Sequence, residues 1–388
     1  MTDGRADILI IGAGAVGLSA AVFLTSRFGF EGRVVVVDRD PQGARSQTVR
    51  SAASLRQQFS IAENIRLSRE GLALMEDLKA RHGAEGDIGF REGRYLVLCD
   101  AEDRDALARA VALQRMEGAA TLFLDEGGLQ DRFGWLRADG LCGSLGQGGE
   151  GWFDPWRLLS VLKREAVSAG ATILGGAVRQ LDIEAGRVTG ALFEDGTRIA
   201  AGLTILCAGC HTPQLLERAG QRIAVEPVKR SVFSLATPDP VPEMPLVALP
   251  SGVWVRPEGA GYIAGWSPPD GDDPASDPDD DAPDTLLFED RLWPLLAERI
   301  PAFERLKMTG AWAGHYDMNR IDQNALLGAV PWREGLLFAC GFSGHGVQHA
   351  LPMGRALAEL ALYGGFRSLD LSRLSPSRPE ALTETGII

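Results

Sequence analysis

Three glycines early in the chain are spaced to bring an anion against bare backbone: Gly12-Ala13-Gly14-Ala15-Val16-Gly17. Gly12 permits a tight turn, Gly14 lets a diphosphate approach the main chain, and Gly17 lets a helix pack on the preceding strand. Free N–H groups at the helix start, with Ala15 and Val16 among them, favour the negative charge together with the helix dipole. Asp38 can accept hydrogen bonds from ribose hydroxyls and argues against a 2′-phosphate, which disfavours NADP. A second turn, Gly341-Phe342-Ser343-Gly344-His345-Gly346, lies near the other end. Amides there have a chemical use, since reduction of a flavin places negative charge near its N1–C2=O edge. Two such turns imply that both ends of the chain close on one large cofactor, and FAD fits that better than NAD.

The elements that must position these turns are legible. Residues 7–11 are short, continuous and β-branched, the pattern of a buried parallel strand. Val16, Ala20, Phe23 and Leu24 then share one helix face. Residues 33–38 form the next strand, which completes a βαβ unit. Residues 336–340 read as the strand before the second turn, and Met353, Leu357, Leu360 and Ala361 as the apolar face of the helix after it. Asp154 and Pro155 suit the N-cap and first position of a third helix, lined by Leu158, Val161, Leu162 and Ala166. Turn signals at Ala185-Gly186 and Asp195-Gly196 divide a small β-meander that ends in the buried run 203–209.

The blocks 88–149 and 225–322 are richer in strand-like runs, at 95–99, 228–236, 252–256 and 261–265. Two helical patterns interrupt them; in the second, Trp293, Leu296, Ala297 and Ile300 share a face. The expected fold is α/β (α+β overall). A Rossmann-like FAD-binding domain comprises 1–87, 150–224 and 323–388, and an interleaved antiparallel-sheet substrate domain comprises 88–149 and 225–322.

The chain has 388 residues, 45% of them hydrophobic and 23% charged, which is ordinary for a globular protein. Its formal charge of −13 disfavours a nucleic-acid partner, which needs a basic face. Eight aspartates and no Lys or Arg fall between Asp270 and Asp284, and the Asp/Pro stretch 268–284 is expected to be a solvated surface loop. Five cysteines give no disulfide framework and suit a reducing, cytoplasmic setting. Residues 8–26 carry no charge, but Asp3 and Asp7 flank them and glycines interrupt them at motif spacing, so no membrane span is expected. Cys207 and Cys210 spell CxxC at the end of a buried strand, where neither redox nor metal function is expected. No metal site is foreseen.

Arg50-Ser51-Ala52-Ala53, Gly151-Trp152-Phe153-Asp154-Pro155 and Val225-Glu226-Pro227-Val228-Lys229-Arg230 complete a larger pattern with the two turns, Asp38 and the run 205–209. Over nearly its whole length the chain resembles the D-amino-acid-oxidase-type flavoproteins, which include sarcosine oxidase, dimethylglycine dehydrogenase and D-arginine dehydrogenase. Trp312-Ala313-Gly314-His315-Tyr316-Asp317 with Asp322-Gln323-Asn324, and residues 341–348, resemble the branch containing the FAD-dependent assembly factor of respiratory complex I. The resemblance implies FAD contacts at Gly12, Gly14, Ala15, Val16, Gly17, Asp38, Arg39, Ser46, Thr48, Arg50, Ser51, Ala52, Val178, Ala208 and Gly209. It adds Gly341, Gly344, His345, Gly346, Val347 and Gln348 from the second turn. A non-covalent cofactor is expected: there is no Cys at 314–324, where monomeric sarcosine oxidase tethers FAD, and no His at 33–59, where dimethylglycine dehydrogenase does.

The reaction implied is oxidation of a C–N bond. A hydride passes from the carbon beside nitrogen to flavin N5, and water hydrolyses the imine. No side-chain base is required if the amine binds neutral. Substrates of the family usually carry a carboxylate, and Arg56 stands where sarcosine oxidase-like proteins place a carboxylate-binding Arg. Gln348 replaces their substrate-binding Lys, which weakens a sarcosine assignment. Tyr316, His315 and Arg230 lie in segments that face the substrate in relatives, and Arg94 falls near an acid of D-arginine dehydrogenase. His345, Gln348 and Tyr316 are the catalytic candidates; His349 is read as packing. The expected activity is FAD-dependent oxidation of an amine, an amino acid or an N-substituted amino acid, with oxygen or an electron carrier as acceptor. Lys229 is one possible positive charge for oxygen reactivity. The alternatives are a D-amino-acid dehydrogenase and a flavin-stabilised assembly or binding protein with little turnover.

Overall fold

The β-branched run that begins the chain forms the strand Arg5–Ile11, with residues 8–11 buried. It is apolar on both faces because it lies in the middle of a parallel sheet that is covered on both sides. Val34–Asp38 pairs on one side and Arg198–Leu206 on the other, with Ile10 opposite Val36 and Ile205. Thr172–Gly175 and Arg333–Cys340 extend the parallel order outward. The computed structural model describes residues 4–269, 271–330 and 332–384. Among them this sheet also gains the antiparallel strands Val178–Glu184, Arg187–Phe193 and Leu326–Val330. The turns foreseen at 185–186 and 195–196 join strands of this group.

Both glycine turns open helices on one face of that sheet. Ala15–Val22 runs on through a wider π turn, Phe23–Arg27, and packs against Gly346–Tyr363. Ser19 Oγ donates to Leu351 O at 3.0 Å across the crossing. The two ends of the chain therefore meet at the carboxyl ends of two parallel strands that flank Arg198–Leu206, where ligands of open α/β sheets bind. Pro155–Ser168 is capped as expected, Asp154 Oδ1 accepting from the amides of Trp156 and Arg157. No helix among the described residues is long and apolar enough to cross a membrane.

A second, mostly antiparallel sheet stands over the carboxyl edge of the first. Its longest pair joins Val225–Ala236 to Lys307–Asn319, from Val225↔Asn319 to Ala236↔Lys307 with one register shift between Ser234 and Leu235. Gly261–Trp266, Val253–Glu258, Leu246–Ala248, Tyr95–Asp100, Leu141–Gly146 and Thr121–Leu124 follow in order. Its outer face packs on Phe288, Leu292, Leu296, Ile300 and Phe303, all fully or nearly fully buried.

The corner after Lys307–Asn319 is held by one buried acid. Asp322 accepts from Asn319 Nδ2, the amides of Asn324 and Leu382, and a two-toothed Arg378 guanidinium. Arg378 and Asp322 side chains are 9% and 0% exposed. Asp322→Ala leaves that arginine buried without its anion. The expected loss is about 3–5 kcal/mol of folding stability, read as a lowered urea midpoint.

The Asp/Pro stretch is the largely exposed loop expected of it, and it is also tied down by ion pairs. Asp270 lies outside the described residues, but Asp273 to Asp281 fold back across the cleft between the sheets. Asp279 pairs with Arg39, Asp280 with Lys229, Asp281 with Arg45 and Arg50, and Asp273 with Arg230. Local composition gives no sign of these ties because the matching cations come from distant segments. The stretch is a strap, not an unattached insertion.

Candidate cofactor and substrate site

The first turn has the geometry of a phosphate cradle. Gly12 has φ 110°, and a Cβ there would lie 2.2 Å from the Cys207 carbonyl oxygen, so only glycine fits. Gly14 has φ −71° and ψ 179°, which any residue adopts. A Cβ there would meet only Thr48 Oγ1, at 3.5 Å. Its bare face lines the cavity, which is what a diphosphate needs. Asp38 anchors the turn: Oδ2 accepts from Ala13 N at 2.7 Å and Oδ1 from Asp40 N at 2.7 Å. Burial pushes its carboxyl above the usual range, and those two amides oppose the shift. Thr48 Oγ1 accepts from Ala15 N at 3.0 Å, and Ser46 caps the short helix Gln47–Arg50. Arg39, Arg50, Ser51, Ala52, Val178, Ala208 and Gly209 line the same cavity.

The second turn is fastened from beneath by Asp317, whose Oδ2 accepts from Gly341 N at 2.8 Å and whose carbonyl accepts from Ser343 N at 3.1 Å. Burial raises Asp317 to about 6. Tyr316 projects to the other side of its strand, against the turn: a Cβ on Gly344 would lie 2.7 Å from its ring. The helix Gly346–Tyr363 starts without a side-chain cap, as does Ala15–Val22. At neither helix start does the N-cap side chain take an amide, although Thr48 takes Ala15 N, and both starts border one cavity of about 1300 Å³. That volume exceeds the range of about 300–1,000 Å³ common for single small-ligand pockets. These residues fit an extended dinucleotide: Gly14 would face its diphosphate and the second turn would hold its ring system.

Arg56, His345, Gln348 and Tyr316 meet at the inner end. Arg56 is 6% exposed and lies over the Phe59 ring, 4.0 Å to the centroid. Gln348 Oε1 accepts from Arg56 N at 2.9 Å, Gln58 O accepts from Nη1 at 2.5 Å, and Nη2 lies 3.0 Å from His345 Nε2. A guanidinium has only donors, so His345 Nε2 is the acceptor and the imidazole is neutral. Burial and the Arg56 charge hold His345 well below its ordinary value. This geometry works against the acid–base role considered for His345, because its nitrogen facing Arg56 carries no proton to give. His349 packs as expected, 3.0 Å from Ser68 Oγ and held down to about 3 by burial.

Glu150 supports this corner without touching the cavity. Its oxygens accept from Gln57 N at 2.6 Å and Gln58 Nε2 at 2.8 Å. Burial raises it to about 7. A carboxyl raised on folding contributes stability that is full below its unfolded value and is lost as pH rises through about 7. Glu150→Gln removes this loss. The melting temperature of the variant, relative to wild type, is expected to improve from about pH 5 to about pH 8. A flat difference would show that Glu150 ionises at its ordinary value.

Other candidates are placed differently from expectation. Arg94 is exposed, with φ 60°, and does not line the cavity. Arg94 lies just before the strand Tyr95–Asp100, and Tyr95, the first strand residue, lines the cavity instead. Arg230 lines the cavity, yet both its Nη atoms are bound to Asp273, each at 2.7 Å. His315 is 7% exposed and lines the cavity, with Nε2 unpartnered. Lys229 binds Asp280 at 2.6 Å and is not a lining residue. Cys207 and Cys210 are buried, with both thiols raised by burial. Among the described residues no group of His, Cys, Asp or Glu is arranged to hold a metal.

Several contributors gave no pattern to find. Gln47 ties the cradle to the second sheet through His315 O at 2.7 Å, and Arg45 reaches the strap. Glu150 and Asp273 sit in stretches with no motif. Asp317 lay inside a resembling segment, and its depth in the fold is what marks it.

A parallel sheet with two helix starts on one long cavity, roofed by an antiparallel sheet, is the architecture of a dinucleotide-binding protein. The family model described as FAD dependent oxidoreductase matches residues 7–360, and the chain belongs to that family. It is 36% identical over 419 residues to the FAD-dependent oxidoreductase domain-containing protein 1 of Bos taurus, covering 96% of this chain and 85% of that one. Glycine oxidase of Geobacillus kaustophilus is 25% identical over 92% of this chain and 93% of its own. L-proline dehydrogenase from P. horikoshii shares the fold with a TM-score of 0.83 at 23% identity, covering 96% of this chain and 97% of that chain. The protein is an FAD-dependent oxidoreductase.

Proposed function

We propose that the protein oxidises the C–N bond of an N-substituted amino acid or an amino acid. The observation that carries this reading is the buried Arg56 guanidinium on the cavity wall beside His345 and Gln348. A guanidinium in that position suits a carboxylate. Bound FAD supplies the two-electron acceptor for a hydride from the carbon beside nitrogen. The chain's own part is placement. The helix start at 346–348 would face the ring system, and Arg56 would take the carboxylate. The apolar walls at Leu246, Ala248 and Trp254 exclude water. Gln348 commits its oxygen to the Arg56 amide, so no second cation stands there, which keeps sarcosine a weaker substrate.

On this reading 1–87, 150–224 and 323–388 form the cofactor domain, and 88–149 with 225–322 form the substrate domain. The cofactor is held without a covalent link, and oxygen or an electron carrier re-oxidises it. The test is anaerobic bleaching of the flavin visible band across primary D-amino acids and N-substituted amino acids. Reduction by the N-substituted set supports the proposal; reduction by primary D-amino acids alone assigns a D-amino-acid dehydrogenase instead.

One observation favours a second reading, a flavin-stabilised binding protein with little turnover. The cavity's own acids already neutralise Arg230 and Arg50. Flavin that stays oxidised across the whole panel, with a stable protein partner in pull-down, would select it.

A further inference from the structure

Arg230 has the properties of a carboxylate-binding residue, and it is already holding a carboxylate. Its side chain is 8% exposed, it lines the cavity, and its Cζ lies 5.0 Å from the Tyr316 ring centroid. Nη1 and Nη2 bind Asp273 Oδ1 and Oδ2, both at 2.7 Å, the parallel two-bond geometry of an Arg–carboxylate pair. Its Nε is buried with no partner. Asp273 is equally buried, at 8%, and Arg320 steadies it: Nη1 approaches Oδ2 at 3.7 Å and Nη2 donates to its carbonyl at 2.7 Å. The strap that carries Asp273 is tied down at Arg39, Lys229 and Arg50. Tyr316 lies within electrostatic reach of both Arg230 and Arg56. The inner cavity therefore has two guanidinium groups, and at Arg230 the partner is a carboxylate of the chain itself.

We propose that Asp273 is a specificity-determining residue: it fills the Arg230 station as a resident carboxylate, so the site accepts substrates with one carboxylate and rejects those with two. The inference rests on the reading of Arg56 as the substrate's carboxylate anchor. A second carboxylate entering beside Tyr316 has to displace Asp273 together with its strap or face its charge unpaired, and both are costly. An amine whose other substituent is neutral meets only the paired, net-neutral Arg230–Asp273 couple.

The test uses the FAD-loaded protein and two unreactive ethers, methoxyacetate with one carboxylate and diglycolate with two. Binding is read from perturbation of the oxidised flavin spectrum, so no turnover is needed. Wild type is expected to bind methoxyacetate and to bind diglycolate at least about tenfold more weakly. Asp273→Asn is expected to tighten diglycolate by about tenfold or more while moving methoxyacetate by less than about threefold. Adding Arg230→Gln to that variant is expected to cancel the gain. A diglycolate constant unchanged by Asp273→Asn, or an equal change for both ligands, overturns the proposal. A gain for diglycolate without measurable methoxyacetate binding would leave Asp273 in its role and remove Arg56 as the anchor. If Asp273→Asn does not fold, Asp279→Asn with Asp280→Asn loosens the strap at its surface ties. The same selective tightening of diglycolate, smaller in size, is then expected, and its absence overturns the proposal.

Discussion

Gly14→Val is expected to yield folded protein that is isolated without flavin. The backbone at Gly14 needs no glycine, since its φ and ψ are those of an extended residue. A Cβ there touches only Thr48 Oγ1, at ordinary contact distance. The added methyls instead fill the space above the helix start, where a diphosphate approaches the amides. An expected loss of at least two orders of magnitude in FAD affinity corresponds to about 2.7 kcal/mol. Flavin content after purification and FAD titration of the apoprotein measure it, with far-UV circular dichroism confirming the fold. Gly12→Val separates the two roles of the turn. A Cβ there collides with the Cys207 carbonyl at 2.2 Å, so this variant is expected to lose stability as well as cofactor. A Gly14→Val protein that keeps its flavin would remove this turn as the diphosphate site.

Arg56→Gln is the second large effect. On the proposed function it raises the substrate dissociation constant by about two to three orders of magnitude, the cost of losing one partner of a buried charge pair. Arg56→Lys is expected to recover little, because an ammonium cannot reproduce the two-bond fork. Arg56 also holds Gln58 O, faces His345 Nε2 and lies over Phe59, so substitution disturbs packing too. Melting temperature and flavin content are therefore measured beside anaerobic flavin reduction. A variant that keeps its flavin and its stability but loses only substrate affinity identifies the anchor. Unchanged affinity would place the anchor elsewhere in the cavity.

These two positions differ in how the sequence signals them. Gly14 was visible as part of a local pattern: strand, glycine spacing, helix face and terminal acid lie within residues 7–38. The same holds for Asp154 as a cap and for residues 336–361 as a strand, turn and helix. Arg56 carried no local signal of its own, and resemblance to a family marked it. Arg94 shows the limit of that route. It was aimed by analogy with a strand position, and its positive φ turns it outward to solvent.

The amino-acid sequence by itself determined the parallel core, both glycine turns and the FAD-type cofactor, because these depend on period, backbone freedom and short-range spacing. Tertiary structure decided the charge state and occupancy of the inner cavity. His345 is held well below its ordinary value by burial and by Arg56, which comes from a segment far away in the chain. Glu150 is raised to about 7 by burial that no neighbour in sequence reveals. The acidic stretch became a strap because its partners Arg39, Arg45, Arg50, Lys229 and Arg230 converge from two other regions. Electrostatic partners are chosen by distance in space, and in this chain that distance is set only once the two sheets have closed on each other.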